Sequence, residues 1–293
     1  MITGIVGKPN VGKSTFFNAA TLLNVPVANY PFTTIQPNIG NAYIRVKCVH
    51  EELGVKADNP VNSACVDGTR LIPVGLVDVA GLVPGASSGR GLGNKFLDDL
   101  RQADALIHVI DASGGTDEEG RLVKPGSHDP LVDISFIRKE IVLWIKSLLD
   151  KDWQKITRMV ESGAANSIKL PQALMEKLSG LSIDEASIEM GMHKLALKTD
   201  KPSGWSDEDL YRFCESLIEI SKPILIAANK CDQPHSKEII ASISKELGTE
   251  SAVVIPCAAE AELLLRKASQ AGLLSYIPGD SSFKIKDPSK ITP

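Results

Sequence analysis

The sequence has few aromatic residues, no long apolar run and no excess of basic charge. Aromatic residues make up only 5% of the 293 residues, so platforms that stack against single-stranded nucleic acid are not indicated. A net charge of −4 excludes a global basic field for nucleic acid, and only a local basic patch is compatible with it. No apolar run reaches the roughly 20 residues that span a bilayer, and Gly4, Gly7 and Pro9 interrupt the apolar start that a signal peptide needs. We therefore expect a cytoplasmic protein with no membrane partner.

Cysteines are also few, and their spacing is irregular. None forms a C-x-x-C pair, and the five are Cys48, Cys65, Cys214, Cys231 and Cys257. The odd number and the wide scatter argue against a disulfide framework and against a zinc site. Both features favour a protein that is kept in the reducing cytosol.

Short apolar runs alternate with helical patterns at both ends of the chain, which is typical of a parallel sheet covered by helices. We predict strands at 2–6, 41–48, 71–77, 105–110, 224–228 and 252–255. The accompanying helices are predicted at 12–23, 92–101, 236–247 and 260–271. Asn41–Cys48 alternates between apolar and polar residues, which indicates a half-exposed strand.

The middle of the chain lacks a strand pattern and has apolar residues at helical spacing instead. We predict helices at 133–149, 171–181, 184–197 and 207–220, with a capping box between Ser206 and Asp209. The chain is therefore divided into a first α/β part, a helical insertion, a second α/β part and a polar linker, at 1–112, 113–220, 221–277 and 278–293. The fold class is α/β, with a mostly parallel sheet, helices on both faces and an inserted α-helical domain.

Gly7-x-x-x-x-Gly12-Lys13-Ser14 matches the P-loop pattern, with a predicted strand before it and a predicted helix after it. The glycines let the loop curl so that backbone N–H groups face phosphate oxygens, and the helix N-terminus adds its positive end. Lys13 is expected to reach the β- and γ-phosphates, and Ser14 to ligate Mg²⁺. The residues predicted to bind nucleotide here are Gly7, Asn10, Val11, Gly12, Lys13, Ser14 and Thr15. A chance match is the alternative, and the strand–loop–helix context makes it rare.

Two further segments fit a triphosphate site. Asp78 ends a predicted strand in a D-x-x-G sequence, where its carboxylate would hold a Mg²⁺-bound water and Gly81 N–H would contact the γ-phosphate. Thr34 lies in the segment Asn29–Thr34, where a first switch segment belongs, and is expected to complete the Mg²⁺ shell. The alternatives are a simple turn at 78–81 and an ordinary loop-to-strand sequence at 29–34. The predicted catalytic residues are Lys13, Thr34, Gly81 and Asn10.

Asn229-Lys230-Cys231-Asp232 follows a buried strand and is predicted to select the base. The Asp232 carboxylate can accept hydrogen bonds from guanine N1–H and the exocyclic amine, a donor pair that adenine lacks. The Lys230 stem would lie over the base, while Asn229 would bind N7 and tie this loop to the P-loop. Alone, this sequence is also compatible with a solvated turn.

Pro256-Cys257-Ala258-Ala259 follows the last predicted strand. Its small residues suit a backbone N–H that approaches guanine O6, and Cys257 and Ala258 are the candidates. An ordinary alanine-rich turn is the alternative.

Together these motifs resemble the Obg-like GTPases, and among them the archaeal relatives of YchF. The residues that carry the resemblance are Gly7–Thr15, Asn29–Thr34, Asp78–Ala86 and Gly91–Leu97. The resemblance implies a Ras-like P-loop G domain with a helical, partly coiled-coil insertion, Mg²⁺ as cofactor, and GTP and GDP as ligands.

The resemblance also implies a switch function linked to the ribosome or RNA. Family chains usually continue into a small C-terminal TGS domain connected with that binding, whereas this chain stops at Pro293. It is expected to be a shortened chain without that domain, so its ribosome or RNA binding is a weaker expectation. Bacterial and eukaryotic YchF proteins prefer ATP and have an altered base motif, and the intact Asn229–Asp232 sequence favours GTP. An ATPase and a binding module with incidental hydrolysis stay open as alternatives.

The source of the catalytic group is the least defined feature. Leu82 follows the D-x-x-G sequence where Ras-type enzymes place a water-positioning Gln, so slow intrinsic turnover is expected. Asn10 matches a P-loop asparagine that ligates K⁺ in related GTPases, and a loop-shaping role is its alternative. His108 and Arg90 are further options, although a core histidine and a solvated arginine are the favoured interpretations of these two residues.

Overall fold

The computed structural model describes residues 1–22, 38–56, 58, 61–79, 81–82, 85, 100–101, 103–162, 168–251, 253–286 and 288. The predicted switch segment at 29–34, with Thr34, lies outside these residues, as do Arg90 and most of the helix predicted at 92–101. The strands are β1 Ile2–Val6, β2 Asn38–Lys47, β3 Ala64–Val66, β4 Thr69–Asp78, β5 Ala105–Asp111, β6 Ile224–Asn229, β7 Val253–Pro256, β8 Leu274–Ser275 and β9 Lys284–Ile285. The α-helices are α1 Lys13–Thr21, α2 Val49–Glu52, α3 Pro130–Asp150, α4 Trp153–Glu161, α5 Leu170–Leu178, α6 Glu185–Lys194, α7 Asp207–Ser221, α8 Ser236–Ser251 and α9 Ala259–Gln270.

The main sheet has the strand order β2-β4-β1-β5-β6-β7, and β3 pairs with β4. β1 lies parallel to β4 and β5, and β6 lies parallel to β5 and β7, whereas β2 and β3 run antiparallel to β4. The carboxyl ends of β1, β4, β5 and β6 therefore meet at one edge of the sheet. β4 lies on one side of β1 and β5 on the other, so the connections diverge at the carboxyl end of β1. In open α/β sheets, ligands bind in the crevice that such a divergence creates. The predicted mostly parallel α/β fold is confirmed.

Helices cover both faces of the sheet, as predicted. On one face α1 packs through Phe17 against Ile5 and Val109, and Arg266 of α9 donates a 2.8 Å hydrogen bond from Nη1 to the carbonyl of Ala20. On the other face, the buried side chains of α3 and α5–α7 join those of the sheet in one continuous hydrophobic core. The helical residues therefore pack on the sheet rather than around a separate core. The division of the chain at 113 and 220 stays a prediction.

Several local features differ from the sequence prediction. The short helix α4 was not predicted, although its residues Trp153, Ile156 and Val160 have helical spacing and pack against the core. Within the described part of 113–220 there is no named strand, as predicted, and Ser206 and Asp209 form the expected capping box. The predicted alternation of burial in β2 was wrong, since Ile44 is 52% exposed. This strand extends beyond the helices that would cover it.

The segment interpreted as a linker from residue 278 contains β9, which pairs antiparallel with β8. Arg45 of β2 also forms a 2.6 Å ion pair with Asp280. Part of this polar segment is thus held against the sheet, and its function as a linker stays a prediction.

Candidate nucleotide-binding site

The P-loop connects β1 to α1 with a backbone that requires glycine at two positions. Gly12 caps α1 with φ +95°, a left-handed conformation that side chains disfavour. A Cβ at Gly12 would collide with Nδ2 of Asn229, and one at Gly7 would collide with the carbonyl of Val109. The two glycines therefore allow the loop to curve, and they also let its backbone approach the neighbouring strands closely.

The phosphate end of the site brings together Lys13, Ser14 and Asp78. Lys13 is buried, and its ammonium donates a 2.8 Å hydrogen bond to the carbonyl of Lys8. Burial lowers the pKa of Lys13 to about 8, and the nearby charge of Asp78 opposes that shift. Gly81 lies against this ammonium, because a Cβ there would be 3.2 Å from Nζ of Lys13. The predicted cation, helix N-terminus and D-x-x-G glycine are thus neighbours.

Asp78 has the features of a carboxylate that serves a metal. It is fully buried, and its Oδ2 accepts a 2.9 Å hydrogen bond from the Ser14 hydroxyl. Its Oδ1 has no hydrogen-bond partner among the described residues, and burial raises the pKa of this carboxyl although Lys13 and Ser14 oppose it. An orphaned buried oxygen beside a hydroxyl fits a hard cation that prefers oxygen ligands. Ser14 and Asp78 are therefore suited to hold Mg²⁺, directly or through water.

The base motif is cross-linked to the P-loop. Asn229 donates a 2.9 Å hydrogen bond from Nδ2 to the carbonyl of Val11, and its Oδ1 accepts the N–H of Ala259 at 3.0 Å. Lys230 donates from Nζ to the carbonyl of Asn10 at 3.0 Å and pairs with Asp111 at 2.8 Å. The predicted tie between Asn229 and the P-loop is thus present in the geometry.

A cavity of about 410 Å³ lies between these two motifs, within the size range of small-ligand sites. Asp232 lines it and is exposed there, with its Oδ2 accepting a 2.9 Å hydrogen bond from Gln233. The other residues of the predicted set that line it are Gly12, Thr15, Asn229 and Lys230. After β7, Ala259 and Glu260 at the start of α9 line the cavity. Cys257 and Ala258 immediately precede them in the chain. The contact of Cys257 and Ala258 with guanine stays a prediction.

The segment after β5 also lines the cavity, which the sequence did not predict. Asn10 donates a 2.8 Å hydrogen bond from Nδ2 to the carbonyl of Gly120, and this contact holds the segment over the P-loop. Its lining residues are Ser113, Gly115, Leu122, Val123 and Pro125, together with Asp111 at the end of β5. Asp111 pairs with Lys230 and lines the cavity. Its position at the end of a predicted strand was the sequence signal that could have indicated this role.

His108 is buried in β5, and its Nε2 has no hydrogen-bond partner among the described residues. Burial, reinforced by the charges of Lys13 and Lys8, lowers the pKa of His108 to about 3. The imidazole is therefore neutral at physiological pH, which fits a core histidine better than an acid catalyst.

Beneath the P-loop, Lys8 forms a fully buried ion pair with Asp133 of α3 at 2.7 Å. Lys8 Nζ also donates to the carbonyl of Thr116 at 2.8 Å, and His128 Nε2 lies 2.9 Å from Asp133. Burial lowers the pKa of Lys8 and raises that of Asp133, and each shift is opposed by the partner's charge. The pair joins the P-loop to the helical layer.

We expect Asp133→Ala to lower the free energy of unfolding by about 3–5 kcal/mol, because it leaves the Lys8 charge buried without its partner. Asp150→Ala is the matched control on the same helix, because the Asp150 side chain is 47% exposed and its partner Lys146 keeps a second ion pair with Asp207, so we expect a loss of about 0–1 kcal/mol. Urea denaturation of both variants measures the difference. The double variant Lys8→Met/Asp133→Leu should recover most of the loss, and a loss that stays additive would contradict the charge explanation.

The fold and this site define a P-loop nucleotide-binding protein. Comparison with known families agrees with that class. Residues 2–137 match the model of 50S ribosome-binding GTPases, and residues 227–293 match that of the G4 motif-containing domain of Obg-like, YGR210-like GTPases.

Individual relatives narrow the class to a family. The chain is 50% identical to a GTP-binding protein of Methanocaldococcus jannaschii, over 98% of this chain and 70% of that protein. It is 32% identical to the ribosome-binding ATPase YchF of Bacillus subtilis, over 89% of this chain and 66% of that protein. A crystal structure of a GTP-binding protein from Pyrococcus horikoshii superposes with a TM-score of 0.77 and 42% identity, over 95% of this chain and 70% of that one. The chain thus spans about two thirds of the length of these relatives.

The chain belongs to the Obg-like family of P-loop GTPases, which includes YchF. The resemblance drawn from the motifs is therefore confirmed.

Among the described residues, no helix is both long and apolar enough to cross a bilayer.

Proposed function

We propose that this chain binds GTP with Mg²⁺, hydrolyses it slowly to GDP and phosphate, and acts as a cytoplasmic nucleotide-dependent switch. The observation that carries the proposal is the cavity in which Asp232 and Lys230 face Gly12 and Thr15 of the P-loop. A nucleotide seated there would have its base at the N-K-x-D motif and its phosphates at Lys13 and Ser14. When bound, Mg²⁺ would neutralise the phosphate charge that develops during transfer.

The choice between guanine and adenine is the main question, because the relatives are named both as GTP-binding proteins and as ATPases. Asp232 supports guanine, since an exposed carboxylate at the cavity wall can accept from the N1–H and the amine of that base.

Isothermal titration with GDP, a non-hydrolysable GTP analogue, ADP and the corresponding ATP analogue tests the proposal. We expect both guanine nucleotides to bind more tightly than their adenine counterparts by about 10-fold or more. Tighter binding of the adenine nucleotides would replace the GTPase assignment with an ATPase one.

Hydrolysis needs a group that Leu82 does not supply. This side chain is 1% exposed and belongs to the hydrophobic core, and its N–H donates to the carbonyl of Gly7. Lys13 is the cation positioned for the phosphates, and Gly81 beside it offers a backbone N–H to the γ-phosphate. A K⁺ ion held at Asn10 is a second source of positive charge, and Thr34 remains a proposed ligand of Mg²⁺.

We expect turnover to be about 10-fold or more faster in potassium than in sodium buffer of equal ionic strength, because a bound monovalent cation stabilises the charge of the transition state. Steady-state phosphate release measures this ratio. Asn10→Ala should lower the ratio to near one. Because Asn10 also holds Gly120, nucleotide affinity of this variant must be measured in parallel. Equal turnover of the native chain in both salts would refute the potassium site.

Ribosome or RNA engagement is a second candidate function, favoured by the similarity to the ribosome-binding ATPase YchF of Bacillus subtilis. Turnover with and without purified ribosomes separates the two. Strong stimulation supports a switch that responds to the ribosome, whereas nucleotide-dependent ribosome binding with unchanged turnover supports a binding module. If ribosomes cause neither stimulation nor nucleotide-dependent binding, intrinsic GTP hydrolysis remains the proposed function of this chain.

A further inference from the structure

Cys48, His50 and Cys65 meet at the outer end of the sheet, away from the nucleotide-binding residues in the chain. Cys48 directly follows β2, His50 lies in α2 and Cys65 lies in β3. Cys48 is buried and the other two are half-buried, and their ligand atoms all lie within 4.8 Å of one another. The sequence alone argued against a zinc site because the cysteines are odd in number and widely scattered. Cys48 and Cys65 are 17 residues apart. Pairing of β3 with β4, and of β4 with β2, brings them together.

We propose that Cys48, His50 and Cys65 bind a zinc-class divalent cation that holds the segment between β2 and β4. Cys65 Sγ and His50 Nδ1 are 3.6 Å apart. Two ligands at about 2.0–2.3 Å from a tetrahedral zinc ion have nearly this separation. Two sulfurs and one imidazole also form a donor set that zinc prefers over hard cations such as Mg²⁺.

Asp58 and Arg70 complete the charge balance of the cluster. Asp58 Oδ2 lies 3.0 Å from Cys48 Sγ, outside the group of three whose ligand atoms are all within 4.8 Å of one another, so this carboxylate is placed to balance charge beside the site. Arg70 donates to Cys48 Sγ from Nε at 3.4 Å and from Nη2 at 3.3 Å, and it pairs with Asp58. With both thiols ionised, two thiolates and one carboxylate would balance the charges of one divalent cation and one guanidinium. Arg70 is thus placed as an outer-shell donor to a ligand sulfur.

The protonation of the two thiols agrees with this arrangement. Burial raises the pKa of the Cys48 thiol, but hydrogen bonds with His50 and Arg70 outweigh burial and lower it to about 6. Burial and the neighbouring Cys48 raise the pKa of Cys65. A divalent cation at the geometric centre of Cys48, His50 and Cys65 would bind both sulfurs as thiolates, because metals bind the deprotonated form.

The described residues of the segment between Cys48 and Cys65 bury little apolar surface. Helix α2 has no buried residue, and Leu53, Val55 and Val61 are 71%, 53% and 96% exposed. A short segment without an apolar core of its own is commonly stabilised by a metal or a disulfide. A disulfide between Cys48 and Cys65 would explain the two sulfurs, but it would give no role to His50.

Cobalt titration of the metal-stripped, reduced full chain tests the proposal. We expect about one Co²⁺ per chain, with thiolate-to-cobalt charge transfer in the near ultraviolet and the visible bands of tetrahedral cobalt, both displaced by Zn²⁺. Cys65→Ser and His50→Asn should remove the charge-transfer band or weaken binding by about 10-fold or more. Cys214→Ala and His193→Asn, a cysteine and a histidine outside the cluster, should bind as the native chain does.

Absence of these bands in the native chain would overturn the proposal, and so would a native disulfide between Cys48 and Cys65 found by mass spectrometry. Binding that survives equally in Cys65→Ser and His50→Asn would place the metal elsewhere. Protection of residues 49–63 from limited proteolysis by Zn²⁺, lost in the same two variants, would give independent support even if one variant folds poorly. None of these outcomes depends on which nucleotide the P-loop binds.

Discussion

Lys13→Ala is expected to weaken binding of a GTP analogue by about 100-fold or more, with a smaller loss for GDP. The ammonium of Lys13 is buried in the P-loop beside Gly81, and the negative charge of Asp78 acts on it. The γ-phosphate supplies a further charge for Lys13 that GDP lacks. Titration with a fluorescent GTP analogue and fluorescent GDP measures both losses.

A second variant of this residue, Lys13→Met, separates binding from folding. Because burial lowers the pKa of Lys13 to about 8, its charge is unfavourable for the folded protein without a ligand. We therefore expect Lys13→Met, which retains the apolar stem, to melt at the temperature of the native chain or above it. Lys139→Ala, at an exposed position of α3, is the control for loss of a positive charge. Unchanged binding of the GTP analogue by Lys13→Met would refute the phosphate assignment.

Asp232→Asn is expected to weaken GDP and GTP binding by about 10- to 100-fold, because it removes a charge-assisted hydrogen-bond acceptor. The amide of the new asparagine can donate to the C2 carbonyl of xanthine, so xanthosine nucleotides should bind better than they do to the native chain. Competition of GDP and xanthosine diphosphate for one fluorescent nucleotide measures this exchange of preference.

Glu260→Gln provides the matched control for the base-selection experiment. Glu260 lines the same cavity and loses the same charge, but it lies in the first turn of α9 rather than in the N-K-x-D motif. Only Asp232→Asn should change the ratio of guanine to xanthine affinity. If both variants lower the affinity for all nucleotides equally, the net charge of the cavity determines binding and Asp232 does not select the base.

The parts of the site at strand ends were predictable from sequence, and the parts that depend on distant contacts were not. Apolar runs that stop at Asp78 and Asn229 indicated parallel strands, and parallel strands bring their carboxyl ends to one edge. By contrast, Lys8 and Asp133 carry no pattern that relates them, since their burial depends on α3 packing under the P-loop. The cavity-lining role of residues 113–125 likewise depends on the contact of Asn10 with Gly120.

The cysteine cluster shows the same limit. Cys48 and Cys65 are unrelated by any metal-binding spacing, and only the register of β2, β3 and β4 makes them neighbours. A strand pattern can indicate that such residues lie in a sheet, but it does not give the register that brings their sulfurs together.

The hydrogen bonds of the P-loop carbonyls have a consequence for the cost of ligand binding. The carbonyls of Gly7, Lys8, Asn10 and Val11 accept, respectively, from Leu82 N–H, Lys13, Lys230 and Asn229. Since each peptide unit is planar, fixing the carbonyls of Gly7, Asn10 and Val11 also fixes the directions of the N–H groups of the residues that follow them, whereas Pro9, after Lys8, has no N–H. The orientation of these amides is thus set when the chain folds, and little backbone entropy remains to be lost when an anion arrives. Preorganisation of this kind predicts that the backbone of residues 7–12 has the same conformation in crystal structures with and without nucleotide.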